Sequence, residues 1–105
     1  MESKPMMWQL AKAVEIQPES VVSRTMINQK NGTVTLFGFD QEQGLSEHTA
    51  PYDALVQVIE GEMDISISRE SFHVKTGEMI IMPANQPHAL KAILPTRMML
   101  VMIRS

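Results

Sequence analysis

The chain has 105 residues, a net charge of −3 and no cysteine, which excludes disulfides, cysteine nucleophiles and thiolate metal ligands. Its composition, 44% hydrophobic and 20% charged, is typical of a globular protein, and the absence of a Lys/Arg cluster argues against nucleic acid. The longest apolar run, 98–103, is too short to span a membrane, and no basic start followed by an apolar leader opens the sequence. We therefore expect one cytoplasmic domain over 1–105, with neither a nucleic-acid nor a membrane partner.

The first element is predicted in the segment 7–16. Apolar residues recur there at roughly helical spacing, at Met7, Leu10 and Val14, and Pro18 follows. This pattern predicts a short helix or an irregular segment at the N-terminus.

From Val21 onward, short β-rich runs alternate with turn residues about every ten positions, which is typical of an all-β protein. The Asn31-Gly32 pair predicts a tight hairpin with positive φ at both residues, and 40–44 is a polar loop. Strands are predicted at 21–27, 33–39, 54–59, 63–68, 71–75, 79–82, 88–92 and 97–104. Eight or nine short antiparallel strands indicate a double-sheet jelly roll or a small barrel.

A first segment of chemical interest covers about 44–61. It opens with Gly44, contains His48 and closes on Gly61. Counting back seven positions from Gly61 reaches Ala54, and four more reach Ala50.

A second such segment covers about 77–92. Gly77 is followed after five residues by Pro83, and His88 lies five positions beyond that proline. Between them, Asn85 is a residue type that tolerates the left-handed conformation.

Taken together and in this order, the two segments resemble the two motifs of the cupin superfamily, whose members have an RmlC-like double-stranded β-helix, or jelly-roll, barrel. The resemblance implies that His48 and His88 point into one barrel cavity, where most relatives hold a divalent metal. It also places Ala50 and Ala54 at the positions of the family's second histidine and its glutamate. Half of the expected metal ligands are therefore replaced by alanine.

The two remaining imidazoles are the candidate metal ligands. His48 and His88 are able to bind Zn, Fe, Ni, Mn or Cu, but a catalytic zinc has three protein ligands and an oxygenase iron has two histidines and a carboxylate. Candidates for a replacement ligand are Glu47, Tyr52, Asp53 and Gln57. Strand alternation is expected to turn Glu47 and Gln57 away from the cavity, whereas Asp53 lies in a turn and is free to face either way. We therefore expect a weakly held divalent metal or none.

Several functions are compatible with these motifs. The leading hypothesis is a small stand-alone cupin that binds a small molecule in the barrel cavity. One enzymatic alternative is a metal-free epimerase or isomerase, in which His48 or His88 with Asp53 and Tyr52 form an acid–base set inside the cavity. A metal-dependent oxygenase with two histidines, a carboxylate and waters is another, and a non-catalytic sensor or structural module is also open.

Two further expectations concern the remaining side chains. His73 alternates with buried-type neighbours, which predicts a surface position. Many of the ten methionines lie in or beside strands, where we expect adaptable core packing. The alternative is a soft cavity lining for an apolar ligand or copper(I).

The apolar segments 98–103 and 6–8 are candidate interfaces, and the resemblance to small cupins implies a homodimer.

Overall fold

The computed structural model describes residues 4–104, so residues 1–3 and 105 of the predicted domain lie outside the described residues. It contains nine strands and one short 3₁₀ turn. In chain order the strands are β1 (Val21–Gln29), β2 (Gly32–Phe39), β3 (Gly44–His48), β4 (Asp53–Glu60), β5 (Glu62–Ile67), β6 (Glu70–Lys75), β7 (Met79–Met82), β8 (His88–Ala92) and β9 (Thr96–Ile103).

The strands form two antiparallel sheets that pack face to face. One sheet has five strands in the order β1-β2-β9-β4-β7, and the other has four in the order β3-β8-β5-β6. Strands that are distant in sequence are thereby neighbours, as β2 and β9 are. This arrangement confirms the predicted all-β jelly roll.

Alternating apolar residues of both sheets form the core between them. In β4 the buried positions are Ala54, Val56 and Val58, and in β5 they include Met63 and Ile65, which are fully buried. Burying each of these larger side chains stabilises the fold by roughly 1.5–3 kcal/mol relative to exposure. The strict two-residue period in the sequence is what aligns them on one face of each strand.

Of the two alternatives predicted for the N-terminal segment, the structure has the irregular one, with a single 3₁₀ turn at Leu10–Lys12. Ala13 and Val14 are buried against the outer face of the five-stranded sheet. Their carbonyl oxygens accept hydrogen bonds from Arg24 (3.0 Å) and from Nε of Arg97 (2.7 Å). These arginine bonds replace the bonds of a helix, which explains the irregular backbone. No helix within residues 4–104 is long and apolar enough to cross a membrane.

Two other local predictions need correction. The β1–β2 turn residues are Lys30 and Asn31, because Gly32 already pairs with Gln29, and no positive φ occurs in this turn. Strand β1 has a bulge between Thr25 and Ile27. A bulge increases the right-handed twist of a hairpin, which a primed turn supplies in other hairpins.

Strand β3 was not predicted as an element. It is an edge strand that pairs only with β8, and all but one of its residues are exposed, so its sequence lacks the alternation of a half-buried strand.

Candidate functional site

The two motif histidines lie side by side at one end of the barrel. His48 is the last residue of β3, His88 is the first of β8, and the two are directly paired across the strands. Their Nε2 atoms are 3.1 Å apart, and the rings meet edge to face with centroids separated by 4.3 Å. His88 is buried at 5% exposure, whereas His48 is exposed, so the pair connects the barrel interior to solvent.

Both rings are oriented by the backbone of their own strands. Nδ1 of His48 is 2.8 Å from the carbonyl oxygen of Ser46, and Nδ1 of His88 is 3.2 Å from that of Gln86. A carbonyl oxygen only accepts, so each Nδ1 carries the proton and donates it. In the neutral form each Nε2 is therefore an unprotonated acceptor that faces the other histidine.

The environment favours the neutral form of His88. Burial lowers the pKa of His88 below its ordinary value, and the nearby His48 acts in the same direction, while the hydrogen bond to the Gln86 carbonyl opposes both. His88 therefore stays uncharged further into the acid range than a free imidazole does.

Behind the histidine pair lies a small cavity whose remaining walls are apolar. Its other lining residues are Leu45, Ala50, Ala54, Met82, Leu90, Met98, Leu100 and Met102. The cavity volume is about 30 Å³. On this scale one water needs roughly 10–15 Å³, so the space holds about two waters or one small group.

Methionine side chains surround the position at which the resemblance expects a glutamate. Ala54 of β4 is paired with Met82 of β7 on one side and with Met102 of β9 on the other. Directly paired residues have Cβ atoms about 4.5–5.5 Å apart, so both side chains flank the space above Ala54. Ala50 lines the same cavity. Two methionine side chains, and no carboxylate, therefore lie beside the position of the expected glutamate.

The other candidate residues lie outside this cavity wall. Tyr52 and Asp53 are not among the lining residues, and Oδ1 of Asp53 accepts the backbone N–H of Ala84 at 2.8 Å. Glu47 is exposed beside His48, and Gln57 lies on the outer face of β4, as the alternation predicts. The epimerase hypothesis requires Tyr52 and Asp53 inside the cavity, so this arrangement does not support it.

The loops of the two motifs are joined directly to each other. The backbone N–H of Asn85 donates to the carbonyl of Ala50 at 2.8 Å. Asn85 has a φ of 66°, the left-handed conformation expected where the family has glycine. This bond and the Asp53–Ala84 bond fix the two loops that border the histidine pair.

The family model of the cupin domain matches residues 35–104. The chain belongs to the cupin family. Among curated proteins, none matches this sequence.

Solved structures show the same fold. A conserved Streptococcus pyogenes protein of unknown function is 32% identical, with a TM-score of 0.92 over 99% of this chain and 91% of that one. A cupin 2 conserved barrel domain protein from Leptotrichia buccalis is 36% identical, with a TM-score of 0.88 over 92% of this chain and 47% of that one, so this cupin spans about half of its length. A cupin superfamily protein from Desulfitobacterium hafniense is 19% identical, with a TM-score of 0.91 over 98% and 94% of the two chains, and shows the fold alone.

The donor set of this cupin does not fit the divalent centre that the resemblance implies. Within residues 4–104, no group of three or more His, Asp and Glu side chains lies close enough to hold one metal ion. Only His48 and His88 offer nitrogen donors to the cavity, and its lining contains no carboxylate. A catalytic zinc or an oxygenase iron requires at least one further nitrogen or oxygen ligand. The oxygenase hypothesis therefore lacks its carboxylate.

Sequence reasoning missed part of the cavity wall. Leu45, Leu90 and Leu100 were not singled out, although the alternation of β8 carries the signal for Leu90. The surface position predicted for His73 is confirmed: its Nε2 is 2.9 Å from Oε1 of Glu62 and its side chain is 45% exposed.

Proposed function

We propose that this cupin binds a small molecule in the barrel cavity, with the polar group of the ligand at the His48–His88 pair. The observation that supports this is the composition of the cavity wall: two adjacent imidazoles at the mouth are its only ionisable groups, and every other lining residue is aliphatic or a thioether. Ligand sites are typically apolar cavities with a few placed polar groups that fix orientation.

The chemistry of the pair limits the ligand class. Because each Nδ1 donates to a backbone carbonyl, each Nε2 is available as an acceptor. A hydroxyl or an acid proton on a small apolar body is the matching group. The cavity of about 30 Å³ admits only a small group as it stands. A larger ligand requires the unbranched side chains of Met82, Met98 and Met102 to move, which methionine does readily.

A divalent metal in this cavity would have only two imidazole ligands from the protein. We therefore expect dialysis against a chelator to remove any bound Zn, Fe, Ni, Mn or Cu(II), and elemental analysis of the dialysed protein checks this. A stoichiometric transition metal that survives the dialysis would contradict it.

Phenol is a suitable probe, since it combines one hydroxyl with an apolar ring. We expect titration with phenol to shift the NMR signals of both histidine rings and of the cavity methionine methyl groups at a saturating concentration. Ala54→Val narrows the cavity and is expected to abolish these shifts. Gln57→Leu, on the outer face of the same strand, is the matched control and is expected to retain them.

Saturable shifts that persist unchanged in Ala54→Val would overturn the proposed site, as would the absence of any shift with phenol and with short aliphatic alcohols and acids. The cytoplasmic location stays a prediction from the sequence.

A further inference from the structure

The histidine pair needs a proton or a metal cation between its two Nε2 atoms. Both Nδ1 atoms donate to carbonyl oxygens, so both Nε2 lone pairs point toward the same small space, with the two nitrogens only 3.1 Å apart. Two unprotonated acceptors at this distance repel each other unless a proton or a metal cation lies between them. Backbone carbonyls that hold the remote nitrogen of each ring are also the usual outer-shell arrangement of metal-binding histidines.

The rest of the cavity wall indicates which cation fits. Hard and borderline divalent ions prefer oxygen or additional nitrogen ligands, and this wall offers neither from a side chain. Instead, Met82 and Met102 are paired with Ala54 from the two neighbouring strands, and both line the same cavity as the two histidines. Thioethers with imidazoles are ligands of soft Cu(I).

We propose that the cavity is a site for a soft monovalent cation of the Cu(I) class, bound by Nε2 of His48, Nε2 of His88 and the sulfur of Met82 or Met102. The cation enters past exposed His48, and buried His88 with the methionines shields it from water. Binding transfers no electron, and the cation takes the place of the proton shared between the two Nε2 atoms, which is released to solvent. The proposal requires the donors alone and does not depend on a small molecule sharing the cavity.

The test is a competition for Cu(I) under anaerobic, reducing conditions against bathocuproine disulfonate. Met6 and Met7 are 78% and 96% exposed and are able to bind Cu(I) by themselves, so the measurement uses the Met6→Leu/Met7→Leu background. We expect one Cu(I) per chain and weaker binding of Zn²⁺ and Mn²⁺. Because leucine is close to methionine in volume, Met82→Leu/Met102→Leu should fold and lose only the sulfur.

Mutation of an outer-shell partner typically lowers the affinity of a metal site by about 10–100-fold. Because methionine is proposed as a direct ligand, we expect Met82→Leu/Met102→Leu to lose at least about tenfold in Cu(I) affinity. His48→Ala should lose at least as much. Met79→Leu, exposed on the outer face of the same strand as Met82, is the matched control and should not change the affinity.

Silver(I) gives a redox-inert readout of the same ligands. Adding one equivalent of Ag(I) should shift the methyl signals of Met82 or Met102 and the ring signals of both histidines, whereas Zn²⁺ should leave the methyl signals in place. Methyl signals are assigned from the Met→Leu variants.

Three outcomes would overturn the proposal: no Cu(I) bound in the Met6→Leu/Met7→Leu background, unchanged Cu(I) affinity in Met82→Leu/Met102→Leu, or Zn²⁺ binding as tightly as Cu(I). Phenol titration of the metal-free protein is measured separately. If phenol binds and Cu(I) does not, only the cation site is refuted. If Cu(I) binds and phenol does not, only the small-molecule site is refuted.

Discussion

The side chain of Asp40 connects two turns of the backbone that are distant in sequence. The carboxylate of Asp40 accepts the N–H of Glu19 at 2.7 Å and that of Gln41 at 2.8 Å, and Glu19 has a φ of 56°. One carboxylate thereby ties the turn before β1 to the end of β2. The sequence shows a polar loop at 40–44 but not the partner of Asp40, which lies 21 residues away.

These bonds predict an acid-sensitive contribution to stability. The hydrogen bond from the backbone N–H of Glu19, followed by that from Gln41, lowers the pKa of Asp40 below its ordinary value of about 3.8. Because the folded pKa is depressed, the stabilisation is present above about pH 3.8 and is lost as pH falls through the lower folded value. We expect the urea midpoint of Asp40→Asn to fall less than that of the wild type between pH 5 and pH 2.5. An equal fall of the urea midpoint in both proteins between pH 5 and pH 2.5 would contradict this role of Asp40.

The opening glycine of the first motif is required by a close approach between strands. A Cβ on Gly44 would lie 2.0 Å from the carbonyl oxygen of Leu90, so β3 would have to move away from β8. We expect Gly44→Ala to reduce the free energy of unfolding by about 1–3 kcal/mol, as overpacked sites do. Chemical denaturation measures this, with exposed Ser46→Ala on the same strand as the control. Equal stability of the two variants would exclude the steric explanation.

At the scale of elements, local sequence patterns predicted the strands better than their connections. The alternation of β5 and the bounds 79–82 and 88–92 agree with the structure, since side-chain burial repeats with the period of the strand. Strand β3 and the course of the segment before β1 were not predictable. Both are decided by partners that are distant in sequence, β8 for the strand and Arg97 for the segment.

The β5–β6 turn has positive φ at two residues other than glycine, so we expect a glycine substitution there to stabilise the protein. Ser68 and Arg69 have φ values of 49° and 71°, the pattern of a primed hairpin turn that usually contains Asn-Gly. A left-handed residue with a Cβ costs about 1–2 kcal/mol, partly offset in glycine by its greater chain entropy. We expect Arg69→Gly to raise the free energy of unfolding by about 0.5–1 kcal/mol.

Arg69→Ala separates backbone strain from the loss of the charged side chain, because alanine keeps the Cβ. It should leave the stability unchanged or lower it. If Arg69→Ala stabilised the protein as much as Arg69→Gly in thermal unfolding, the strain argument would fail.

At the scale of the whole molecule, the outer face of the five-stranded sheet is apolar across its full width. One row of paired residues crosses every strand of this sheet: Ile27, Val34, Val101, Leu55 and Ile81. The two ends of this row, Ile27 and Ile81, are 51% and 60% exposed. A continuous apolar surface of this kind marks an interaction site, and a self-complementary face suits a two-fold dimer.

We propose that a second copy of the chain covers this row, as the sequence-based expectation of a homodimer requires. Leu55→Lys places a charge at its centre and is expected to give a folded monomer by sedimentation velocity, whereas the wild type sediments as a dimer. Ser71→Lys, exposed on β6 of the other sheet, is the matched control and should remain dimeric. A monomeric wild type, or a dimeric Leu55→Lys, would contradict the proposal.

The sequence by itself determined the jelly roll, and its resemblance to the cupin motifs implied that His48 and His88 share one cavity and that alanines occupy two ligand positions. The periodicity of apolar residues, the turn residues and the motif spacing are all visible in the amino-acid sequence, so they predict these features without a structure. Only the tertiary structure decided that Met82 and Met102 flank Ala54 and that Asp53 is bonded to the backbone of Ala84. Those facts depend on the register between β4, β7 and β9. A shift of one residue there would turn every side chain to the opposite face, and the uninterrupted apolar runs of β7 and β9 contain no alternation in sequence that would fix the register.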